Sequence, residues 1–144
     1  MKSEANNEVK NEKQVRVGIG IAILDEEGRI LLLRRNKAAG KDWEWQFPGG
    51  GVEFGESLQE CAIREAKEET NLDIKNPEIF IALDSEITEK SHWVGIGLKT
   101  TEFTGTPKVT EPHNFTEIRF FEFNNLPDNI YIPSFKMIKR LMET

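Results

Sequence analysis

The chain predicts a layered α/β fold, a mixed β-sheet held between helices, in a single domain. Three observations point there. Short segments rich in β-branched and aromatic residues recur along the chain, bounded by Gly, Asn, Asp and Pro. Two other segments, one central and one C-terminal, carry apolar residues at helical spacing. The 144 residues, 38% of them hydrophobic, are enough for one sizeable core, and no repeat, low-complexity tract or linker divides them.

Residues 1–14, "MKSEANNEVKNEKQ", are almost without apolar side chains and are expected to form a frayed tail, leaving 15–144 as the folded domain. "VRVGIGIAIL", residues 15–24, reads as a strand. "DEEG" reads as a turn, and "RILLLRR", residues 29–35, as the returning hairpin partner. "NKAAGKDWE" is expected to be a loop. "WQF", residues 45–47, is a short strand that runs into Pro48 and three glycines, read as a tight turn that lets backbone approach a ligand. Ser57 then caps a helix, and Glu60 completes the S-x-x-E capping box. That helix is expected to stop at Thr70-Asn71. "EIFIALDSEI" (78–87), "HWVGIGLKTTEF" (92–103) and "EIRFFEF" (117–123) read as three further strands, and an amphipathic helix starts at Ser134.

With 25 acids against 19 bases the net charge is −6, which argues against non-specific binding of duplex nucleic acid. An anionic small ligand stays possible, because a bound cation reverses the local sign. The single cysteine, Cys61, excludes an internal disulfide and suits a core position better than a nucleophile. No apolar run approaches a membrane span and no signal-type segment opens the chain. A cytoplasmic monomer or homodimer without membrane attachment is the expectation.

The central helix carries acids where a core-facing helix should be apolar. Leu58, Cys61, Ala62 and Ala66 share one face, Glu65 and Glu69 fall inside the same arc, and Glu68 lies at its edge. Carboxylates losing water on a half-buried face cost several kcal/mol unless something compensates them. A hard divalent cation would, and oxygen donors suit Mg²⁺ or Mn²⁺; no Cys/His set with zinc spacing exists. The adjacent Gly49, Gly50 and Gly51 offer carbonyls to a cation and amides to a phosphate.

Together these residues resemble the Nudix hydrolase signature, G-x5-E-x7-R-E-U-x-E-E-x-G-U with U a bulky aliphatic. Here it runs from Gly50 through Glu56 and Arg64-Glu65-Ala66-Lys67-Glu68-Glu69-Thr70-Asn71 to Leu72. Ala66 is smaller than the pattern asks. Asn71 replaces the closing glycine, and asparagine is the next best residue for positive φ. "RVGIGIAIL", "ILLLRR", "WQFPGG" and Glu111-Pro112 extend the likeness over most of the chain.

The resemblance implies a Nudix-type α/β/α sandwich and Mg²⁺- or Mn²⁺-dependent hydrolysis of a nucleoside diphosphate derivative. It implies Glu65, Glu68 and Glu69 as metal ligands with a carbonyl of Gly49 or Gly50, Glu65 or Glu68 as general base, and Glu56 with Arg64 as a supporting ion pair. Glu111 is a further ligand, an alternative base, or a plain loop residue. Arg34 or Arg35 reaches substrate phosphates, or both merely flank an apolar strand. Gly49, Tyr131 and Phe135 are candidate substrate contacts, among other aromatics such as Trp43 and Trp93 that could stack on a base. The flanking segments look most like the MutT-like nucleoside triphosphate pyrophosphatases. ADP-ribose or nucleotide-sugar hydrolysis is the alternative, with a non-catalytic sensing module a third. The 83–90 stretch, "LDSEITEK", lacks the proline many ADP-ribose enzymes carry there.

Overall fold

The alternation in "VRVGIGIAI" decides the architecture of the computed structural model, which describes residues 13–143. Successive side chains of strand β1 (Val15–Ile23) point to opposite faces. Ile19, Ile21 and Ile23 join one core with Cys61, Ala62 and Ala66 of helix α1 (Leu58–Thr70). Ala22 joins a second core with Met137 and Ile138 of helix α2 (Ile132–Met142). Strand β2 (Ile30–Arg35) alternates likewise, Leu31 into the first core and Ile30 and Leu32 into the second. Helices therefore cover both faces, as expected. The terminal tail lies outside the described residues apart from Lys13 and Gln14.

β1 sits inside a four-stranded mixed sheet. It pairs in parallel with β7 (His92–Thr100) and antiparallel with β4 (Gly49–Gly51), and β6 (Glu78–Ile87) closes the far side against β7. β2 lies in a separate antiparallel sheet between β3 (Trp45–Gln46) and β9 (Phe115–Phe121). β5 (Asp73–Lys75) and β8 (Glu102–Thr104) form a two-stranded ribbon.

The structure corrects several expectations. β1 and β2 are not a hairpin: the turn between them closes through Asp25 and Arg29, one bridge forms at Leu24 and Ile30, and the strands then part into different sheets. β1 has no edge to offer, because β4 and β7 occupy both. The three glycines form strand β4 and none has positive φ, so they are not a tight turn. The segment 92–103 is two strands, because Thr100 turns its hydroxyl onto the backbone of Lys75 and Glu102 and ends β7. β5 was not anticipated, and β9 begins at Phe115 and ends at Phe121. α2 starts two residues before Ser134, because Pro133 in its first turn has no N–H to leave unpaired. Among the described residues no helix is long and apolar enough to cross a membrane.

Candidate active site

Both ends of α1 are built as the sequence indicates. Ser57 Oγ accepts from the Glu60 amide (3.0 Å) while the Glu60 carboxylate accepts from the Ser57 amide (2.8 Å). Asn71 ends the helix in the left-handed region, with φ 67° and its N–H on the Lys67 carbonyl. Between these ends the helix lays its acids on the glycine strand. A Cβ on Gly50 would stand 2.5 Å from Glu65 Oε1, and one on Gly49 would collide with the Ile19 carbonyl. Only bare backbone lets β4 fit between β1 and the carboxylates.

Glu65 and Glu69 turn inward as their place on the helix predicts. Glu69 is 9% exposed and accepts a 2.8 Å hydrogen bond from the Gly49 amide. Glu68 stays exposed at the edge. Burial pushes the Glu69 carboxyl up to about 8; the Gly49 bond opposes this, and the charges of Glu65, Glu111 and Glu68 add to it. Glu65 is raised too, by burial against the opposing pull of Arg64. Arg64 grips Glu56 as a fork, Nη2 to Oε1 at 2.7 Å and Nε to Oε2 at 2.9 Å, and holds that carboxyl down at about 2. Its Nη1 also meets Glu65 at 2.9 Å and Glu68 at 3.3 Å. With Glu53 at 3.7 Å, one guanidinium therefore spans four acids, and among the described residues none of its ion pairs is to Glu69. Burial raises the Cys61 thiol to about 12, so it is an inert core residue.

Glu111 comes from the loop before β9, and its charge acts on both Glu65 and Glu69. Its Oε1 accepts from Asn114 Nδ2 at 3.3 Å. The donors gathered here, Glu65, Glu68, Glu69 and Glu111 beside the Gly50 backbone, are all hard oxygens and fit Mg²⁺ or Mn²⁺. Among the described residues no three of them already converge as a cage. Arg64 holds two and the Gly49 amide a third, and Mg²⁺ commonly binds through only one or two carboxylates, keeping its waters.

A cleft of about 320 Å³ opens beside Gly49 and Gly50, with Arg35, Lys41, Trp43, Trp93 and Tyr131 in its walls. Trp43 packs on Tyr131 with ring centroids 4.1 Å apart and planes tilted by 34°, and its indole N–H donates to Gln46 Oε1 at 2.8 Å. Arg35 donates to the same oxygen at 3.0 Å, while its buried Nε has no partner among the described residues. Burial lowers the Arg35 pKa and Glu69 opposes this. Trp93 lies over Gly18 and Gly51. Neighbouring arginines on a strand face opposite ways. Arg34 accordingly turns to Glu44 and Glu117, each at 3.4 Å, and lines a different hollow beside Arg29 and Arg119. Phe135 is exposed on α2 and is not among the cleft's walls. The sequence reading did not anticipate Lys41, Ser85 and Glu86 in the cleft. Ser85 and Glu86 are adjacent yet face it together, because β6 bulges between Asp84 and Glu86 and breaks the alternation.

Comparison with known proteins bears on the family and the fold. The family model described as "NUDIX domain" matches residues 14–141. An RNA pyrophosphohydrolase of Caulobacter vibrioides is 42% identical over 59 residues, 41% of this chain and 34% of that protein. An ADP-ribose pyrophosphatase of Methanocaldococcus jannaschii is 32% identical over 106 residues, 73% of this chain and 61% of that protein. The chain thus spans less than two thirds of the length of these curated relatives. Among solved structures, a MutT NUDIX hydrolase from Burkholderia pseudomallei superposes with a TM-score of 0.81 at 29% identity, covering 90% of this chain and 99% of that one.

Proposed function

The chain belongs to the Nudix family, and from that premise we propose that it is a metal-dependent pyrophosphohydrolase acting on a nucleoside diphosphate derivative, with a (d)NTP as the substrate class, cleaved to a nucleoside monophosphate and pyrophosphate. The observation that carries the proposal is the buried Glu69, held against bare glycine backbone and acted on by the charges of Glu65 and Glu111, at the side of a cleft whose lining includes Arg35 and Lys41. Glu65, Glu68, Glu69, Glu111 and the Gly50 carbonyl would hold the cation. Bound there, Mg²⁺ or Mn²⁺ supplies positive charge against the phosphate oxygens and lowers the pKa of a nearby water. Arg35 and Lys41, both in the cleft's lining, hold the phosphate chain. Glu65 or Glu68 takes the proton of the attacking water as its oxygen bonds to phosphorus and the anhydride P–O bond breaks. Arg64, braced by Glu56, fixes the Glu65 carboxylate and does not itself react. Trp43, Tyr131 and Trp93 offer ring faces to the base.

The MutT-like substrate class rests on the near end-to-end match with the Burkholderia structure. The ADP-ribose relative favours a second reading, an ADP-ribose pyrophosphatase using the same helix and a different pocket contact. A panel of NTPs, dNTPs, ADP-ribose, nucleotide sugars and 5′-triphosphorylated RNA with Mg²⁺, resolved by anion exchange, separates them. Pyrophosphate with monophosphate is the expected product pair. AMP with ribose phosphate would shift the assignment to ADP-ribose, and no metal-dependent product from any substrate would leave a binding module.

A further inference from the structure

Asn71 stands where the signature has glycine, and the turn alone does not use its side chain. The positive φ is met by the backbone, yet Asn71 Nδ2 also donates to the Thr106 carbonyl at 3.2 Å. Two more hydrogen bonds follow in step. The Lys108 amide donates to the Thr70 carbonyl at 3.1 Å, and the Thr110 hydroxyl donates to the Glu68 carbonyl. Three positions of one segment, 106, 108 and 110, are thus laced to Asn71, Thr70 and Glu68 at the C-terminal end of α1. These partners include carbonyls that a helix end otherwise leaves to water. The next residue is Glu111. On its far side the segment is pinned again, by Asn36 Nδ2 on the Pro112 carbonyl (3.2 Å) and the Asn36 amide on the Asn114 carbonyl (2.7 Å).

We infer that Asn71 and Thr110 are positioning residues: they strap the 106–110 segment to the end of the acid-bearing helix and so deliver Glu111 to Glu65 and Glu69. The inference rests on the reading of Glu111 as part of the cation site. A loop carboxylate whose charge acts on two other acids is repelled by both, and without a tether it would swing to water. The strap holds it against that repulsion. Because the bonds run to α1 itself, Glu111 stays in register with the helix that carries its partners. Glycine at position 71 would keep the turn and lose the first bond.

The test is metal affinity, read two ways: the Mg²⁺ concentration that half-saturates the rise in melting temperature, and direct Mn²⁺ binding by electron paramagnetic resonance. Asn71→Gly preserves the αL turn and removes the amide; Thr110→Val removes the hydroxyl at constant shape; Thr110→Ser restores it. Removing a residue that orients a ligand typically weakens metal binding about 10–100-fold. Each strap bond acts one step further out, so Asn71→Gly and Thr110→Val are expected to weaken it roughly 3–10-fold, with melting temperature in EDTA within a few degrees of wild type. Thr110→Ser should return to wild type. Glu111→Gln is measured alongside. If it weakens metal binding and both strap variants do not, the strap is irrelevant to the site and the inference fails alone. If Glu111→Gln leaves metal binding unchanged, the reading of Glu111 fails, and the inference with it.

Discussion

Replacing Glu69 by Gln should stabilise the metal-free protein at alkaline pH while disabling the site. Glu69 is 9% exposed, its carboxyl is pushed from 4.5 up to about 8, and Arg64 does not reach it. A carboxyl so displaced stabilises the fold fully below its unfolded pKa of about 4.5. That contribution is lost as pH rises through about 8. The displacement corresponds to an upper limit on the order of 5 kcal/mol between the two ends of the window. Glutamine keeps an oxygen for the Gly49 amide and never ionises. In EDTA the wild type should therefore lose stability relative to Glu69→Gln from about pH 5 to pH 9. Realising about half of the limit, 2–3 kcal/mol, would make the variant's melting temperature at pH 9 higher by roughly 10 °C. Millimolar Mg²⁺ should restore the wild type through binding to the folded state and leave the variant unmoved. Turnover by the variant should fall on the order of 10³-fold. Melting curves from pH 4 to 9, with EDTA and with Mg²⁺, make the comparison. Parallel pH dependences in EDTA, or a variant less stable than wild type at pH 9, would show that Glu69 is not an uncompensated buried acid.

Arg64→Lys loses the fork on Glu56 and should cost about 10–100-fold in kcat; a change under two-fold would reduce the pair to a surface contact. Glu56, held at about 2, stabilises the fold above about pH 4.5 and loses that contribution as pH falls through about 2, so Glu56→Gln should flatten this part of the acid unfolding curve. Arg35→Ala should raise KM for the preferred nucleotide at least ten-fold and Arg34→Ala less than two-fold, since only Arg35 faces the cleft; equal effects would contradict that division. Gly50→Ala places a methyl 2.5 Å from Glu65 Oε1 and should depress kcat by more than about 10-fold through displacement of that carboxylate, with circular dichroism unchanged. Wild-type kinetics in that variant would mean the carboxylate yields freely.

The positions of the acids were legible because they depend on one helix. Capping at Ser57 and Asn71 sets where α1 begins and ends, and helical geometry then turns Glu65 and Glu69 inward and leaves Glu68 at the edge. The sequence suggests a β1–β2 hairpin because adjacent strands with a turn between them usually pair. Here both edges of β1 are taken by segments 29–33 and 77 residues away in the chain, and no local pattern records that. Three glycines in a row suggest a turn, yet they are a strand whose missing Cβ atoms admit Glu65. Arg34 and Arg35 looked equivalent. The pleat gives them opposite faces, and the sheet's placement assigns the cleft to Arg35.

By itself, then, the sequence determined the two-sided burial of the sheet, the limits of the acid-bearing helix, the choice of hard-oxygen donors and the Nudix likeness. All of these follow from residue type at fixed short spacing, where backbone geometry has few options. Only the tertiary structure decided that the charge of Glu111 acts on Glu65 and Glu69, that Asn71 has a side-chain partner, and that a bulge at Ser85 turns two neighbours into one cleft. Those depend on strand pairing and loop anchoring between residues far apart in the chain. Such contacts form where buried surface and hydrogen bonds offset the entropy of closing long loops, and that balance belongs to the whole fold.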